Sequence, residues 1–449
     1  MRQHKVSMKV LFLHPNQPSQ FKLPAIEFAK DPANEVVFLS RKNLETRLPG
    51  VKVIGFKEKI PPGLKSHQFT RNFSAGCQRA TAVASVCMQL KQQGFIPDVI
   101  VAHSGWGDGL YLRTVFPDTP QLNYMEFYSQ PAGAELGFAS DSKAPPNLLA
   151  IRATDNAVHM MNYFNADWCL TPTFWQRSVH PVEMHDKFSV LHEGVDTELC
   201  TPRQWQEYRL PDGRVLNPQT DEIITHVERH FDRFRGFPTV LKAIDSIQKR
   251  RPNAHIVIVG KIGKGYSVTK QGNFQEMIDK APYDRHRTHF VGHLDYPEFL
   301  KLLQVSAAHI YLTFPFVLSW SFLESMAVAC PIVCSDTAPV REVAEDGKHC
   351  LMFDFFAPEA LADRVDTLLN DRDYGRRLGA AARQLIIEQY NVRDLLPMTM
   401  QLIRDIANGV DPAQAALPIR QWNEKWGREN PQWQESIPLF HAPNTRRSG

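Results

Sequence analysis

Short runs of Val, Ile, Leu and Phe recur along the 449-residue chain, separated by stretches whose apolar positions fall at helical spacing. In the first half they occupy residues 10–13, 35–39, 51–56, 99–102, 121–125, 168–170 and 188–191. Continuous apolar runs mark strands buried on both faces, so the pattern predicts a parallel sheet with helices on each side. It restarts at residues 223–227 and continues at 255–259, 288–291, 308–312, 331–334 and 351–353. A polar, Pro-bearing stretch at residues 201–220 reads as the link between the halves. The expected class is α/β, with two doubly wound, Rossmann-like domains facing across a cleft and their ligand at the carboxyl ends of the strands. The expected divisions are 1–203 for the first domain, 204–395 for the second, and 396–449 as a returning helix, predicted over 394–407, followed from 411 by an irregular tail.

A chain of this length suits two cores, since single cores stop growing near ~250–300 residues. The net charge of +3 gives no call for nucleic acid. The charge is uneven, however: 15 Lys+Arg against 6 Asp+Glu in residues 1–100, and 5 against 12 in residues 101–200. Lys57, Lys59, Lys65, Arg71 and Arg79 lead into a helical run at 74–93 with an apolar face, which fits a solvated basic face beside a core helix or, as the second reading, an anionic membrane surface. No apolar run reaches the ~18–20 residues of a membrane span. The apolar stretch near the N-terminus is too short for a signal peptide, and Met8 offers an alternative start. Seven scattered cysteines without a Cys-x-x-Cys pair fit buried free thiols in a reducing cytoplasm, with peripheral attachment to the inner membrane face as the membrane variant.

The chemistry concentrates at residues 313–333, read as a loop, a short helix at 319–330 and a buried strand. A helix opening after a strand presents free N–H groups and a positive dipole end, and this one carries a carboxylate, Glu324, in its first turns. That suits a nucleotide diphosphate. It also suits a capping box from Ser321 to Glu324, in which Glu324 serves only backbone donors. Upstream, Arg229 and Arg235 bracket a loop between a strand and a helix starting near Phe237 and Pro238, a spacing that fits phosphate oxygens or a solvated charge run.

In order and spacing these segments resemble the retaining glycosyltransferases of family 4, which have the GT-B fold. Arg229 and Arg235 match the family's basic pair after the first strand of the second domain, and Glu324 matches the second Glu of its Glu-x7-Glu motif. Residues 8–14, 97–103, 194–196, 290–294, 335–342 and 345–347 add further matches. Three positions depart from the pattern: Phe316 replaces the first motif Glu, Val317 and Ser319 replace glycines, and Cys350 stands where Gly is common.

The resemblance implies a metal-independent enzyme, without a cofactor, that moves a sugar from a nucleotide diphosphate donor to a hydroxyl acceptor with retention. It implies a glycan or lipid-linked acceptor, in envelope polysaccharide or glycolipid synthesis. Arg229, Arg235 and His103 are the catalytic candidates, His103 because it ends a strand where a family His approaches the donor sugar. Glu324, Phe316, Val317, Leu318, Ser319, His293, Leu294, Gly260 and Lys261 form the donor set. Ser19, Gln20 and Glu126 are acceptor-side candidates. Residues 260–265 lack the P-loop spacing and residues 105–109 lack the dinucleotide fingerprint, so Lys261 or Lys264 is left as a phosphate neighbour. His180, His185 and His192 have no zinc pattern and read as isolated surface histidines. The missing motif Glu keeps open a catalytically silent binding or regulatory protein, and the two-domain architecture keeps open a nucleotide-sugar epimerase.

Overall fold

The computed structural model describes residues 7–42, 44–58, 66–139, 144–263, 265 and 273–430. The chain divides into two compact units, Met1–Glu193 with Arg393–Pro431, and Gly194–Val392. The divisions thus fall at 193/194 and 392/393, where the sequence pattern put them at 203/204 and 395/396. The reason is a backbone crossing: Val195 N–H donates to Tyr390 O (2.7 Å) and Val392 N–H to Val195 O (3.0 Å). Gly194, with φ +85°, lies so close to Val392 that a Cβ would sit 2.6 Å from its Cα.

Unit 1 contains a seven-stranded sheet of β1 (Lys9–Leu13), β2 (Glu35–Ser40), β3 (Lys52–Gly55), β4 (Val99–His103), β5 (Gln121–Tyr124), β6 (Trp168–Thr171) and β7 (Phe188–Val190). Their spatial order is β3-β2-β1-β4-β5-β6-β7, and every pairing is parallel. Successive residues of β1 feed opposite layers. Val10 and Phe12 join Phe28, Phe38 and Ile403. Leu11 and Leu13 join Val37, Leu39, Val83 and Leu90. This two-sided burial makes the runs continuous rather than alternating.

The returning helix is Val392–Ala407, and its Leu395, Met400, Ile403 and Ile406 complete the first of those layers. The expected irregular tail is instead helical over the described residues, as Pro412–Ala415 and Leu417–Glu429. Ala415, Ala416 and Ile419 enter the core, and Trp426 stacks on Phe174 at 5.0 Å. That apolar face is short, so its period was hard to read.

Unit 2 opens with a hairpin, β8 (Tyr208–Arg209) and β9 (Val215–Leu216), within the stretch read as linker. Tyr208, Leu210 and Leu216 pack on Ile223 and Val257, which makes the stretch part of this unit's core. The main sheet contains β10 (Glu222–His230), β11 (Ala254–Lys261), β12 (Thr288–Gly292), β13 (Ala308–Tyr311), β14 (Ile332–Ser335) and β15 (Leu351–Phe353). Its order is β12-β11-β10-β13-β14-β15, again all parallel. Each sheet reverses its winding once, at β1/β4 and at β10/β13, and the carboxyl ends beside such a reversal are where open α/β sheets bind ligands.

Candidate functional site

In unit 2 the loop after β10 is built from the strand outward. Glu228 is buried; one oxygen lies 2.7 Å from His226 Nε2 and the other accepts the Asp232 N–H at 2.9 Å. Asp232 in turn accepts from Phe234 N–H through Oδ1 (2.9 Å), and its carbonyl accepts from Arg235 and Phe237. Gly236 takes φ +77° against Leu312, where a Cβ would come within 2.4 Å, so only glycine fits before the helix Phe237–Arg250.

This rigid turn presents Arg235 to the end of β13. Its Nη1 donates to Thr313 Oγ1 at 2.7 Å and to the Tyr311 hydroxyl at 3.3 Å, and its guanidinium lies 5.9 Å from the centre of the Phe316 ring. Thr313 is itself clasped by Ser335, which accepts its N–H (3.0 Å) and donates to its carbonyl (3.2 Å). Phe314 N–H donates to Phe234 O at 2.7 Å, and Phe234 packs on Phe314 and Phe316. The Tyr311 hydroxyl also accepts the Ser319 N–H at 3.0 Å. Arg235, Phe316 and Ser319 therefore meet around Tyr311. Val317 is partly exposed and Leu318 is buried in the core.

Ser319 is the N-cap of a helix spanning Trp320–Ala327, shorter than the predicted 319–330. Its start rules out the capping box: Ser321 already lies inside the helix, and Glu324 sits on the second turn rather than three residues past a cap. Oε1 of Glu324 instead accepts the Tyr296 hydroxyl at 2.7 Å. Burial pushes the Glu324 carboxyl above the usual range, and the Tyr296 hydrogen bond opposes that rise.

Arg229 lies within β10 rather than on the loop after it, exposed while its neighbour Glu228 points inward. It shares its surroundings with Lys261, the exposed last residue of β11, and the pK of His230 is lowered by burial and then by these two cations. Gly260 takes φ +135° beneath, where a Cβ would meet Glu228 O at 2.7 Å. The structure thus joins Arg229 to Lys261, and Arg235 to Thr313 and Phe316. Lys264 lies outside the described residues. Beyond Gly292 (φ +71°), His293 is exposed and Leu294 packs on the core.

Unit 1 gathers a different set at its own reversal. His14 follows β1 and His103 ends β4; their rings meet edge to face at 4.9 Å, and Trp106 lies 5.3 and 4.5 Å from them. Asn16 N–H donates to His14 Nδ1 and Gly105 N–H to His103 Nδ1, both at 3.0 Å, so each ring accepts at Nδ1. Both rings are only 1% exposed, and among the described residues neither Nε2 has a hydrogen-bond partner. Glu126 Oε2 stands 3.6 Å from His103 Nε2, while Gln20 Nε2 donates to Glu126 Oε1 at 3.0 Å. Ser19 Oγ donates to Gln20 Oε1 at 2.5 Å. Ser19 takes φ +43°, the left-handed conformation that glycine adopts readily. Burial, then the neighbouring His103, holds the pK of His14 well below 6.5.

Sequence reasoning missed His14, Tyr296, Tyr311 and Thr313. His14 had a readable signal, since it follows its strand as His103 ends its own. The others are hydroxyl residues whose roles come from pairing between distant segments. Other expectations also change. His180 and His192 are buried rather than superficial. Arg79 turns inward to Asp108 (3.0 Å) and to the carbonyl of Trp106, leaving Lys57 and Arg71 as the exposed members of the basic group; Lys59 and Lys65 lie outside the described residues. The seven cysteines are free, and all but Cys77 are buried. Among the described residues no group of His, Cys, Asp or Glu is arranged to hold a metal ion, and no helix is long and apolar enough to cross a membrane.

Two parallel-sheet α/β units of this build define the GT-B class. The chain is similar to sucrose-phosphate synthase from Thermosynechococcus elongatus, with TM-score 0.65, 15% identity, and coverage of 89% of this chain and 99% of that one. It is also similar to HepE from Anabaena in complex with UDP-glucose, with TM-score 0.61, 14% identity, and coverage of 86% and 97%. At such identities the likeness speaks for the fold. Curated relatives include glycogen synthase of Mycobacterium tuberculosis, 26% identical over 188 residues, or 41% of this chain and 43% of that protein. Spore coat protein SA of Bacillus subtilis is 26% identical over 206 residues, 44% and 53% of the two chains. The chain thus spans about half the length, or less, of these curated relatives. The model for the glycosyl transferase family 4 group matches residues 32–200, and that for glycosyl transferases group 1 matches residues 212–385. The chain belongs to this family of glycosyltransferases.

Proposed function

We propose that the protein transfers a sugar from a nucleotide diphosphate sugar to a hydroxyl acceptor, with retention of configuration and without a metal. The observation that carries the reading is the Tyr311 hydroxyl, which links Arg235 to the N–H of Ser319 at the start of the Glu324 helix. A fixed cation, a helix N-terminus and a carboxylate on that helix are the groups a nucleoside diphosphate needs: charge for the phosphates and an acceptor for ribose hydroxyls. The solved relative holding UDP-glucose supports a donor of that kind.

The chemical difficulty is departure of the diphosphate, which gains negative charge as its bond to the anomeric carbon lengthens. Arg235 and Arg229, with the helix N-terminus, would stabilise that charge, a preorganised role typically worth ~3–4 kcal/mol per donor. Retention through a covalent intermediate needs a carboxylate nucleophile ~5 Å from a second carboxylate. Phe316 occupies the motif position where that carboxylate would be sought. A same-face displacement fits better: the acceptor oxygen bonds to the anomeric carbon as the phosphate oxygen leaves, and that oxygen takes the acceptor proton. The His14, His103 and Glu126 cluster of unit 1 is assigned to sugar and acceptor hydroxyls. The acceptor is a glycan or a lipid-linked molecule of the cell envelope, and Lys57 and Arg71 are exposed among the described members of the basic group.

A panel of nucleotide sugars, followed for thermal stabilisation and product release, tests this reading. Transfer, or slow hydrolysis to free sugar of unchanged anomeric configuration, is expected. Binding without turnover would favour a silent binding protein, and an epimerised donor would favour an epimerase.

A further inference from the structure

We infer that Tyr296 is a positioning residue of the nucleotide site: its hydroxyl holds Oε1 of Glu324 so that the carboxylate offers Oε2 to a ligand diol, and this selects ribonucleotides. The inference rests on the proposed role of Glu324 and deepens it. Tyr296 opens the helix Tyr296–Val305, whose N-cap Asp295 accepts the Glu298 N–H at 3.1 Å, so its backbone is fixed. Its side chain is 42% exposed and packs on Phe299, a contact phenylalanine would make equally well. What phenylalanine lacks is the 2.7 Å bond to Glu324, while Cys200 Sγ lies 3.4 Å from the same hydroxyl.

Glu324 forms no ion pair among the described residues, and Oε2 has no hydrogen bond to them and is not buried. A half-buried carboxylate with no cation drifts towards its neutral form, in which it donates a hydrogen bond as readily as it accepts one. The Tyr296 bond opposes that drift and fixes the rotamer. The single reachable oxygen is then an acceptor, suited to hydroxyls and not to phosphate.

Calorimetry with UDP, GDP and ADP and their 2′-deoxy counterparts, on the full chain, tests the inference. The ratio of ribo to deoxy affinity cancels phosphate titration, which both ligands share. Tyr296→Phe should lower that ratio about three- to tenfold, the worth of one hydrogen bond. The ratio should also collapse at a higher pH in this variant than in the wild type. Tyr296→His, which restores a donor, should recover part of the preference. A variant that loses thermal stability while keeping the wild-type ratio and its pH dependence would reduce Tyr296 to packing and overturn the inference. If Glu324→Ala abolishes the preference and Tyr296→Phe does not, the Tyr296 inference fails and the Glu324 reading stands. A wild type with no ribose preference for any of the three nucleotides overturns both.

Discussion

The carboxyl ends of the two sheets use opposite electrostatics. In unit 2, two hydroxyls and an aromatic ring fix the direction of the Arg235 guanidinium. In unit 1, His14 and His103 are packed against each other and Trp106, and burial holds the pK of His14 low, so its neutral form is favoured. The difference fits a division of labour. A leaving diphosphate needs fixed positive charge, whereas hydroxyl-bearing groups need neutral donors and a carboxylate such as Glu126. Each set sits where its sheet reverses winding, so similar topology positions different chemistry.

The sharpest way to break this contrast is to remove the charge from unit 2. Arg235→Ala should lower kcat by on the order of 10²-fold or more, as loss of other oxyanion donors does. Arg235→Lys should recover part of it, keeping the charge while losing the fork that reaches Thr313 and Tyr311. Steady-state rates with the active donor decide the point, and wild-type turnover in the Ala variant would make Arg235 a structural hydrogen-bond donor to β13.

A smaller effect separates the two motif positions. Glu324→Ala should weaken nucleoside diphosphate binding roughly tenfold and erase most of the ribose preference, the expected loss of a charged acceptor. Phe316→Ala should change sugar choice and turnover while leaving that affinity within about threefold, because the ring packs beside Arg235 and offers no hydrogen bond. Calorimetry of both variants is the measurement. Equal losses would mean that the loop and helix act as one structural piece.

Much of the fold was legible because a continuous apolar run flanked by turn signals has few other meanings; each of the thirteen main strands forms within a residue or so of its run, except β10 and β11, which extend further at their carboxyl ends. The hairpin at Tyr208 and Val215 was not legible, since its strands are only two residues long and lie in polar sequence. The site was half legible. Charged residues at strand ends and in the first turns of a helix announce themselves, so Arg229, Arg235 and Glu324 could be picked out as candidates. Tyr296 and Thr313 gain their meaning from pairing across 28 and 78 residues of sequence, which no local pattern carries. The capping-box alternative for Glu324 shows the converse failure: the local pattern was complete, but the helix starts earlier, where Ser319 meets Tyr311.

The suppressed charge of unit 1 can be tested through pH. A histidine whose folded pK lies below 6.5 favours the neutral form, so its contribution to stability is full above pH 6.5 and is lost as pH falls below that value. His14→Phe keeps an aromatic ring against Phe21 and Trp106 and removes the titrating group. Its unfolding free energy should fall less steeply on acidification than that of the wild type, by up to one proton, or roughly 1.4 kcal/mol per pH unit. Urea denaturation at about pH 7.5 and pH 5.5 measures the slope. An unchanged slope would show that His14 titrates normally and would remove this side of the comparison.

The smallest expected effect is none at all, and it concerns metal. If Arg235 and Arg229 with the Ser319 helix stabilise the diphosphate, a divalent cation has no step to perform, and EDTA should leave the transfer rate unchanged. The arrangement of residues motivates this: the Tyr311 hydroxyl links the Arg235 guanidinium to the N–H of Ser319 at the start of the helix, so two positive groups are fixed for the same diphosphate. A cation bridging the phosphates would need carboxylates turned towards it, and it would compete with Arg235 for the same oxygens. Complete loss of activity in EDTA, restored by magnesium or manganese, would transfer the leaving-group role to the ion. Arg235→Ala should then slow the reaction much less than 10²-fold. Measuring that variant with and without chelator therefore separates a guanidinium mechanism from a metal-assisted one, whichever way the wild type behaves.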